Sequence, residues 1–311
     1  MSRLGVRPGS GQGPQGVVAR CGFRRRPARV VIVRTTVPGP RPRAGRELAL
    51  LAALYLAYSG ARLLTDPDLG AATANARDIL QLQAVLHLDV ERRLNDGLSA
   101  VPVLPLVASY WYSLLHYVVT PAVLVWVYRV HPARYRVARN ALVVGSALGI
   151  AGFALLPTAP PRMLPGYVDT LASTAGSGWW GSDASAPKGL GGLTNELAAM
   201  PSLHVGWALW CAAVIWWCTR DAVGGRAIAV RLVAAVYAAG TTLVVLATAN
   251  HYLLDAVGGA AVLAAGAAAA RALPVRATDT PALAGPIDSG PPSPSLVLVG
   301  VGATGWEDGD R

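Results

Sequence analysis

Long apolar runs separated by short polar segments dominate the middle of this chain. Each run is close to the ~20 residues that a helix needs to cross the ~30 Å hydrocarbon core of a bilayer. The six runs are 48–64, 107–128, 140–157, 202–218, 230–248 and 252–270. Because a segment in lipid must satisfy its backbone hydrogen bonds internally, all six are predicted to be helices. The pattern predicts an all-α integral-membrane bundle of six transmembrane helices within a domain over 46–273.

The segments around this domain have other patterns. Residues 66–100 place apolar positions at helical spacing with charges between them, which predicts an external amphipathic helix at the membrane surface. The flanks 1–45 and 274–311 are rich in Pro and Gly and are predicted to be disordered tails. The last apolar run, "DAVGGAAVLAAGAAAA", is rich in small residues, which favours close packing against another helix.

Composition agrees with a membrane protein and narrows the partners. Charged residues make up 14% of the chain, against about 25% in soluble domains. The net charge of +10 is concentrated in 1–46, which holds eleven arginines and no acidic residue, whereas the remainder carries sixteen basic and seventeen acidic residues. The basicity belongs to one tail, so no nucleic-acid-binding face is predicted. The three cysteines form no CxxC pair, and Cys211 and Cys218, which lie within an apolar run, are expected to pack as small residues.

The distribution of basic residues predicts the orientation of the bundle. With both termini cytoplasmic, that side receives the tail arginines and nine others, Arg129, Arg134, Arg136, Arg139, Arg220, Arg226, Arg231, Arg271 and Arg276. The opposite side receives only five basic loop residues, Arg77, Arg92, Arg93, Arg162 and Lys188. We therefore expect a multi-pass protein of the cell membrane.

In this topology polar residues from three distant segments meet on the extracytoplasmic face. Arg162 follows the third run, Ser202 and His204 open the fourth, and His251 and Asp255 lie where the fifth and sixth runs meet. A carboxylate inside an apolar helix costs at least ~2.5–3.5 kcal/mol, which indicates a paired, working group. The convergence predicts an extracytoplasmic active site.

The expected local geometry suits a phosphate ligand. Pro201 fits an early helical position and Asn250 fits a helix cap, so two helix amino termini with free N–H groups are expected to face one region. Such termini favour anions. Arg162 adds a planar cation that matches phosphate oxygens.

Spacing also separates the roles of the two histidines. His251 and Asp255 are four residues apart, so the carboxylate can orient the imidazole and stabilise its charged form. His251 is therefore the candidate nucleophile or base. His204 has no acidic neighbour at helical spacing and is the candidate proton donor, while Ser202 can donate a hydrogen bond to a phosphate oxygen. Attack by a histidine followed by protonation of the leaving oxygen splits a phosphoryl transfer into two easier steps.

These residues resemble the motifs of the type 2 phosphatidic acid phosphatase superfamily of membrane lipid phosphatases. "PPRML" at 160–164, "PSLH" at 201–204 and "HYLLD" at 251–255 are similar to its three motifs, in order. The resemblance implies Arg162 and Ser202 as phosphate contacts, His204 as general acid, His251 as nucleophile and Asp255 as its orienting residue. It implies no metal or cofactor.

The departures from those motifs are informative. Positions where the superfamily has lysine, proline, glycine and Ser-Arg are occupied here by Leu155, Met163, Leu203, Val244 and Val245. The remaining pattern is more similar to the inositol phosphorylceramide synthase-like (inositolphosphotransferase) branch, which transfers a phosphoryl headgroup between lipids. Fewer cations suit a phosphodiester of lower charge. The implied donor is a phospholipid or polyprenyl phosphate, and the acceptor is a lipid, a sugar alcohol or, in a hydrolase, water.

Three alternative functions from other classes of membrane protein remain open at this point. A haem-binding membrane protein would use His204 and His251 as axial ligands. An intramembrane serine protease would use Ser202 with His251, although the setting Met-Pro-Ser-Leu lacks the expected glycines. A transporter or non-catalytic lipid-phosphate binding protein would keep the site without turnover.

For the other polar residues on the predicted active-site side, the spacing in the sequence does not indicate a functional role. His87 and His116 are expected to be satisfied interfacial groups. Asp169, Glu196 and Lys188 share the predicted active-site side, but nothing in their spacing supports a role.

Overall fold

Helices form all the regular structure of the part of the chain that the computed structural model describes, residues 42–64, 68–181 and 195–272. No strand forms in these residues, and one isolated parallel bridge joins Thr158 and Ala198. The helices are α1 (Ala44–Leu64), α2 (Leu69–Val85), α3 (Glu91–Ser99), α4 (Leu104–Val130), α5 (Pro132–Leu155), α6 (Thr170–Thr174), α7 (Leu203–Thr219), α8 (Gly225–Ala247) and α9 (Leu253–Ala272). The predicted tails lie outside the described residues, apart from 42–45, where α1 already begins at Ala44.

Each of the six predicted apolar runs coincides with a helix and extends at most two residues beyond it, which confirms the all-α prediction. Within the described ranges, four helices are long and apolar enough to cross a membrane: α4, α5, α8 and α9. α7 is strongly apolar but has only 17 residues. Four such helices indicate a membrane protein, and a crossing by all six helices remains a prediction.

α5 and α9 pack closely through glycines, as the composition of the last run predicts. A Cβ on Gly266 would lie 2.6 Å from the carbonyl oxygen of Ala141, and one on Gly145 would lie 3.3 Å from that of Val262. Real Cβ atoms do not approach a backbone oxygen at 2.6 Å, so the crossing requires a glycine on α9.

A second glycine contact brings the start of α7 against α9. A Cβ on Gly259 would lie only 2.1 Å from the carbonyl oxygen of Ser202, and one on Gly206 would lie 3.1 Å from that of Gly259. The backbone N–H of Ser202 also donates to the carbonyl of Asp255 at 2.9 Å. These contacts fix the two polar helix starts beside each other.

The segment predicted as one amphipathic helix forms two helices, α2 and α3. The chain turns between them at His87, which has a φ of 57°. The buried side of α2 is a stripe of small and apolar residues that ends in Gln83, while Leu82 and Val85 are exposed. The stripe packs against residues of the segments that lead into α7 and α9, namely Ala159, Leu164, Leu197, Ala199 and Tyr252.

α1 is held to α5 by a buried ion pair at the end of α5 away from these helix starts. Arg139 Nη1 lies 2.6 and 2.8 Å from the two carboxylate oxygens of Glu47. The hydroxyl of Tyr135 donates to the same carboxylate at 3.0 Å. Three polar groups thus satisfy one another where α1 meets α5.

Candidate active site

His251 and Asp255 contact each other at the start of α9. Asp255 is fully buried, and its Oδ2 lies 3.5 Å from His251 Nδ1 and accepts the backbone N–H of Tyr252 at 2.8 Å. The closer partner of Nδ1 is the carbonyl oxygen of Ala199, at 2.8 Å. Both partners are acceptors, so the proton sits on Nδ1 and the lone pair on Nε2. That Nε2 atom is buried and has no hydrogen-bond partner among the described residues.

His204 lies next to His251 in the first turn of α7. The two ring centroids are 5.6 Å apart. The His204 ring stacks on Tyr112, with centroids 4.4 Å apart and planes 23° apart, and His116 meets it edge-on at the same distance. Its Nε2 is likewise buried and unpartnered within the described ranges. Two neighbouring imidazoles therefore each hold a buried nitrogen with no partner in the described part of the chain, which is unusual because buried polar atoms are nearly always hydrogen-bonded.

Ser202 acts as the cap of α7. Its hydroxyl oxygen accepts the N–H of Val205 at 3.4 Å, and no described hydrogen bond links that hydroxyl to His251. α7 begins at Leu203, so Pro201 precedes the cap, and its predicted place inside the helix is wrong. The hydroxyl hydrogen of Ser202 remains available to an acceptor, because a hydroxyl that accepts a bond can still donate one.

The prediction of free N–H groups at the start of α9 is wrong. The N–H of Leu253 donates to Glu91 Oε1 at 2.5 Å, and that of Leu254 donates to Gln83 Oε1 at 2.9 Å. Asn250 does not cap this helix; its side chain donates to Thr248. Side chains from α2 and α3 thus bind the N–H groups at the start of α9. Of the two helix starts predicted to bind an anion, only the start of α7 remains a candidate.

Glu91 and Gln83 contact the start of α9 next to the His251 loop, and the sequence did not predict this contact. Both are fully buried, and Gln83 Nε2 donates to Glu91 Oε1 at 2.8 Å. The sequence does contain one indication of this contact: Gln83 lies at helical spacing on the same stripe as Ala72, Ala76 and Ile79. A polar side chain in a buried stripe needs a hydrogen-bond partner. By fixing Leu253 and Leu254, the pair holds the loop that carries His251.

Arg162 lies beside the His251 loop but is already engaged. Its backbone N–H donates to Ala249 at 2.8 Å, and its Nε donates to the side-chain oxygen of Asn250 at 3.0 Å. Nη1 lies 3.3 Å from Asp169 Oδ2, and Nη2 pairs with Glu196. Burial lowers the pKa of Arg162, but the two carboxylates raise it by more, so its pKa is raised and the cation is retained.

Three neighbouring polar residues contact the predicted site. Asp169 and Glu196 both contact Arg162, which their spacing in the sequence did not indicate. His116 is hydrogen-bonded, as expected, because its Nδ1 lies 3.0 Å from the carbonyl oxygen of Tyr112, but it is buried beside His204 and not interfacial. His87 is exposed in the turn after α2, as expected, and Lys188 lies outside the described residues.

A protein-family profile described as the PAP2 superfamily matches residues 77–269. The chain belongs to the PAP2 superfamily. The match includes all the predicted site residues, from Arg162 to Asp255, and begins within α2. No curated protein and no solved structure gives a significant match.

Membership in the PAP2 superfamily indicates a lipid phosphatase or phosphotransferase type of activity at a membrane. Of the predicted site residues, the structure brings His251, Asp255, His204 and Ser202 into one cluster at the starts of α7 and α9, in which His204 is half-buried and the other three are buried. Arg162 joins this cluster through the loop 249–250. Within the described residues, no group of three or more His, Cys, Asp or Glu side chains is arranged to hold a metal ion.

Proposed function

We propose that this PAP2-superfamily protein is a lipid phosphotransferase in which His251 is the nucleophile and His204 the general acid. The observation that carries the proposal is a pair of buried Nε2 atoms that have no hydrogen-bond partner among the residues described, on imidazoles whose centroids are 5.6 Å apart. A phosphoryl group between them would receive a nucleophile from one ring and a proton from the other.

The two half-reactions balance on these residues. His251 Nε2 attacks phosphorus, the bond from phosphorus to the donor oxygen breaks, and that oxygen takes the proton of His204. The phosphorylated ring keeps its Nδ1 proton and is positively charged, so the Ala199 carbonyl and the Asp255 carboxylate both stabilise it. An acceptor hydroxyl then gives its proton to His204 and attacks phosphorus, and the bond to His251 breaks.

Transfer to an alcohol is favoured over hydrolysis by the resemblance to the inositolphosphotransferase branch and by burial of the site. His251 is 4% exposed and Asp255 is fully buried. A phosphohistidine there is shielded from bulk water, and exclusion of water suppresses hydrolysis of reactive intermediates. The distribution of basic residues supports an extracytoplasmic position for this face in a multi-pass cell-membrane protein.

The test supplies labelled phosphatidylinositol and labelled phosphatidic acid to membranes containing the wild type or His251→Ala, with lipid and sugar-alcohol acceptors. We expect label in a new lipid or phospho-sugar with the wild type only, and acid-labile label on His251. His87→Asn is the matched control, because His87 is exposed and asparagine tolerates its positive φ. Free phosphate released only in the presence of His251 would identify a hydrolase of the same superfamily. Equal results with the wild type and His251→Ala would favour a binding protein.

A further inference from the structure

His204 contacts neighbouring rings, whereas His251 contacts a carboxylate. Asp255 lies 3.5 Å from His251 Nδ1. In the part of the chain that the structure describes, His204 forms no ion pair and its Nε2 has no hydrogen-bond partner. Its imidazole contacts the rings of Tyr112, His116 and His251. A proton donor has to point at the leaving oxygen, so the ring contacts of His204 determine how well it can donate.

Two of these rings come from one face of α4. Tyr112 and His116 are four residues apart, so they lie on adjacent turns. Tyr112 covers the face of the His204 imidazole, with centroids 4.4 Å and planes 23° apart, and His116 meets it edge-on. His116 is itself held, because its Nδ1 donates to the carbonyl oxygen of Tyr112 at 3.0 Å. The two rings of α4 therefore restrict rotation of the His204 ring.

The stacked ring of Tyr112 also favours a charged His204. The face of an aromatic ring carries partial negative charge and attracts a cation within about 6 Å of its centroid. The centroid of the His204 ring lies 4.4 Å from that of Tyr112. An imidazolium at this position is stabilised by the tyrosine ring before it gives up its proton. Tyr112 thus offers His204 the two effects that Asp255 offers His251, which are orientation and stabilisation of the charged form.

We propose that Tyr112 is a positioning residue for the general acid, and that its ring orients His204 and stabilises the protonated imidazole. The inference rests on the proposed function, in which His204 protonates the leaving oxygen. It assigns the effect to the aromatic ring of Tyr112, which phenylalanine also has. Removal of the ring should slow only reactions whose leaving oxygen needs a proton.

The test compares two leaving groups. Diacylglycerol needs a proton as it leaves, whereas para-nitrophenolate leaves as a stable anion and does not. Phosphatidylinositol is paired with inositol para-nitrophenyl phosphate, and phosphatidic acid is paired with para-nitrophenyl phosphate, so that each pair differs in the leaving group. The purified full chain in a maltoside detergent is mixed with each compound under single-turnover conditions, which isolate the step that breaks the donor bond. Release of diacylglycerol and release of para-nitrophenolate are measured separately.

Tyr112→Leu is expected to slow diacylglycerol release about tenfold or more and to change para-nitrophenolate release less than about threefold. Tyr112→Phe keeps the stacked ring and should restore diacylglycerol release to within about threefold of the wild type. Tyr128→Leu is the matched control, because it makes the same substitution at the far end of α4. It removes the ring that lies 5.0 Å from Tyr135 and should leave the ratio of the two release rates unchanged.

The outcomes separate this inference from the proposed function. Tyr112→Leu rates that fall equally for both leaving groups, or for neither, overturn the inference. A Tyr112→Phe protein as slow as Tyr112→Leu assigns the effect to the hydroxyl and also overturns it. If Tyr112→Leu does not fold, Tyr112→Met decides by the same ratio, because methionine fills irregular space.

His204→Asn tests the assignment on which the inference rests. We expect it to slow diacylglycerol release at least about 100-fold and para-nitrophenolate release far less. If this selectivity appears in His204→Asn but not in Tyr112→Leu, the proposed general acid stands and the role of Tyr112 is overturned. If His204→Asn slows both releases equally, or the wild type releases neither leaving group, the proposed function is overturned and the inference with it.

Discussion

Replacing Gly259 by alanine tests whether contact between α7 and α9 aligns the two histidines. The new Cβ would lie 2.1 Å from the carbonyl oxygen of Ser202 and 3.3 Å from the backbone nitrogen of Gly206. Both of these atoms belong to the backbone, so no side chain can rotate away from the added methyl group. α7 must instead move away from α9.

The size of that movement can be read from the structure. Real Cβ atoms essentially never approach another heavy atom within 3.0 Å, so the Ser202 carbonyl must move by at least 0.9 Å from its 2.1 Å position. The hydrogen bond from Ser202 N–H to the Asp255 carbonyl, now 2.9 Å, lengthens with it. A 1 Å misplacement of reacting groups costs on the order of 10²-fold in rate, and overpacking costs about 1–3 kcal/mol in stability.

The assay measures initial rates of His251-dependent label transfer together with the midpoint of thermal unfolding. We expect Gly259→Ala to lower kcat about 100-fold while a folded population remains. Gly97→Ala in α3 is the matched control, because a Cβ there has no heavy atom within 4 Å, and it should leave the rate unchanged. A Gly259→Ala protein whose rate stays within about threefold of the wild type would refute the reasoning, because a 1 Å shift of the reacting groups predicts a far larger loss.

Three further changes test other contacts. His116→Phe keeps an aromatic ring against His204 but removes the ring nitrogens of His116, so kcat should fall about tenfold or more with little change in KM. Unchanged initial rates would show that His116 only packs against His204. Glu91→Leu removes the acceptor of the Leu253 N–H, and unfolding should become easier by about 1.5–3 kcal/mol with loss of transfer; an unchanged unfolding midpoint would contradict this. Glu47→Leu removes the carboxylate that pairs with Arg139 and should lower the free energy of unfolding by about 3 kcal/mol, while the folded fraction keeps its transfer rate. A loss of kcat without a loss of stability would show that α1 influences the catalytic rate.

Local pattern was enough to predict the helices and part of the site. Apolar runs long enough to span a bilayer have few alternatives to helix, so all six predicted runs are helical. The contact between His251 and Asp255 agrees with the prediction from their four-residue spacing, but His251 lies in the loop before α9, so the two side chains meet across the start of the helix and not on one helical face. The close approach of α5 and α9 follows from the small residues of the last run.

The unpredicted contacts join residues far apart in sequence. Glu91 reaches Leu253 across 162 positions, and Arg162 reaches Glu196 across 34. The periodicity of apolar residues does not predict contacts between residues this far apart. An isolated acidic residue in a polar segment is therefore expected to be exposed to solvent. The prediction of free N–H groups at the start of α9 was wrong for this reason, because their acceptors belong to α2 and α3, which are distant in sequence.

The capping of α9 by Gln83 and Glu91 has a consequence for the order in which this protein is made. The acceptors are synthesised early, and the N–H groups that they bind belong to the last helix of the described chain. Since chains emerge from the amino terminus first, the loop that carries His251 reaches Gln83 and Glu91 only after α9 has been made. A chain that ends before α9 therefore has the two acceptors without the N–H groups that they bind, and the predicted site is complete only once this helix has joined the others.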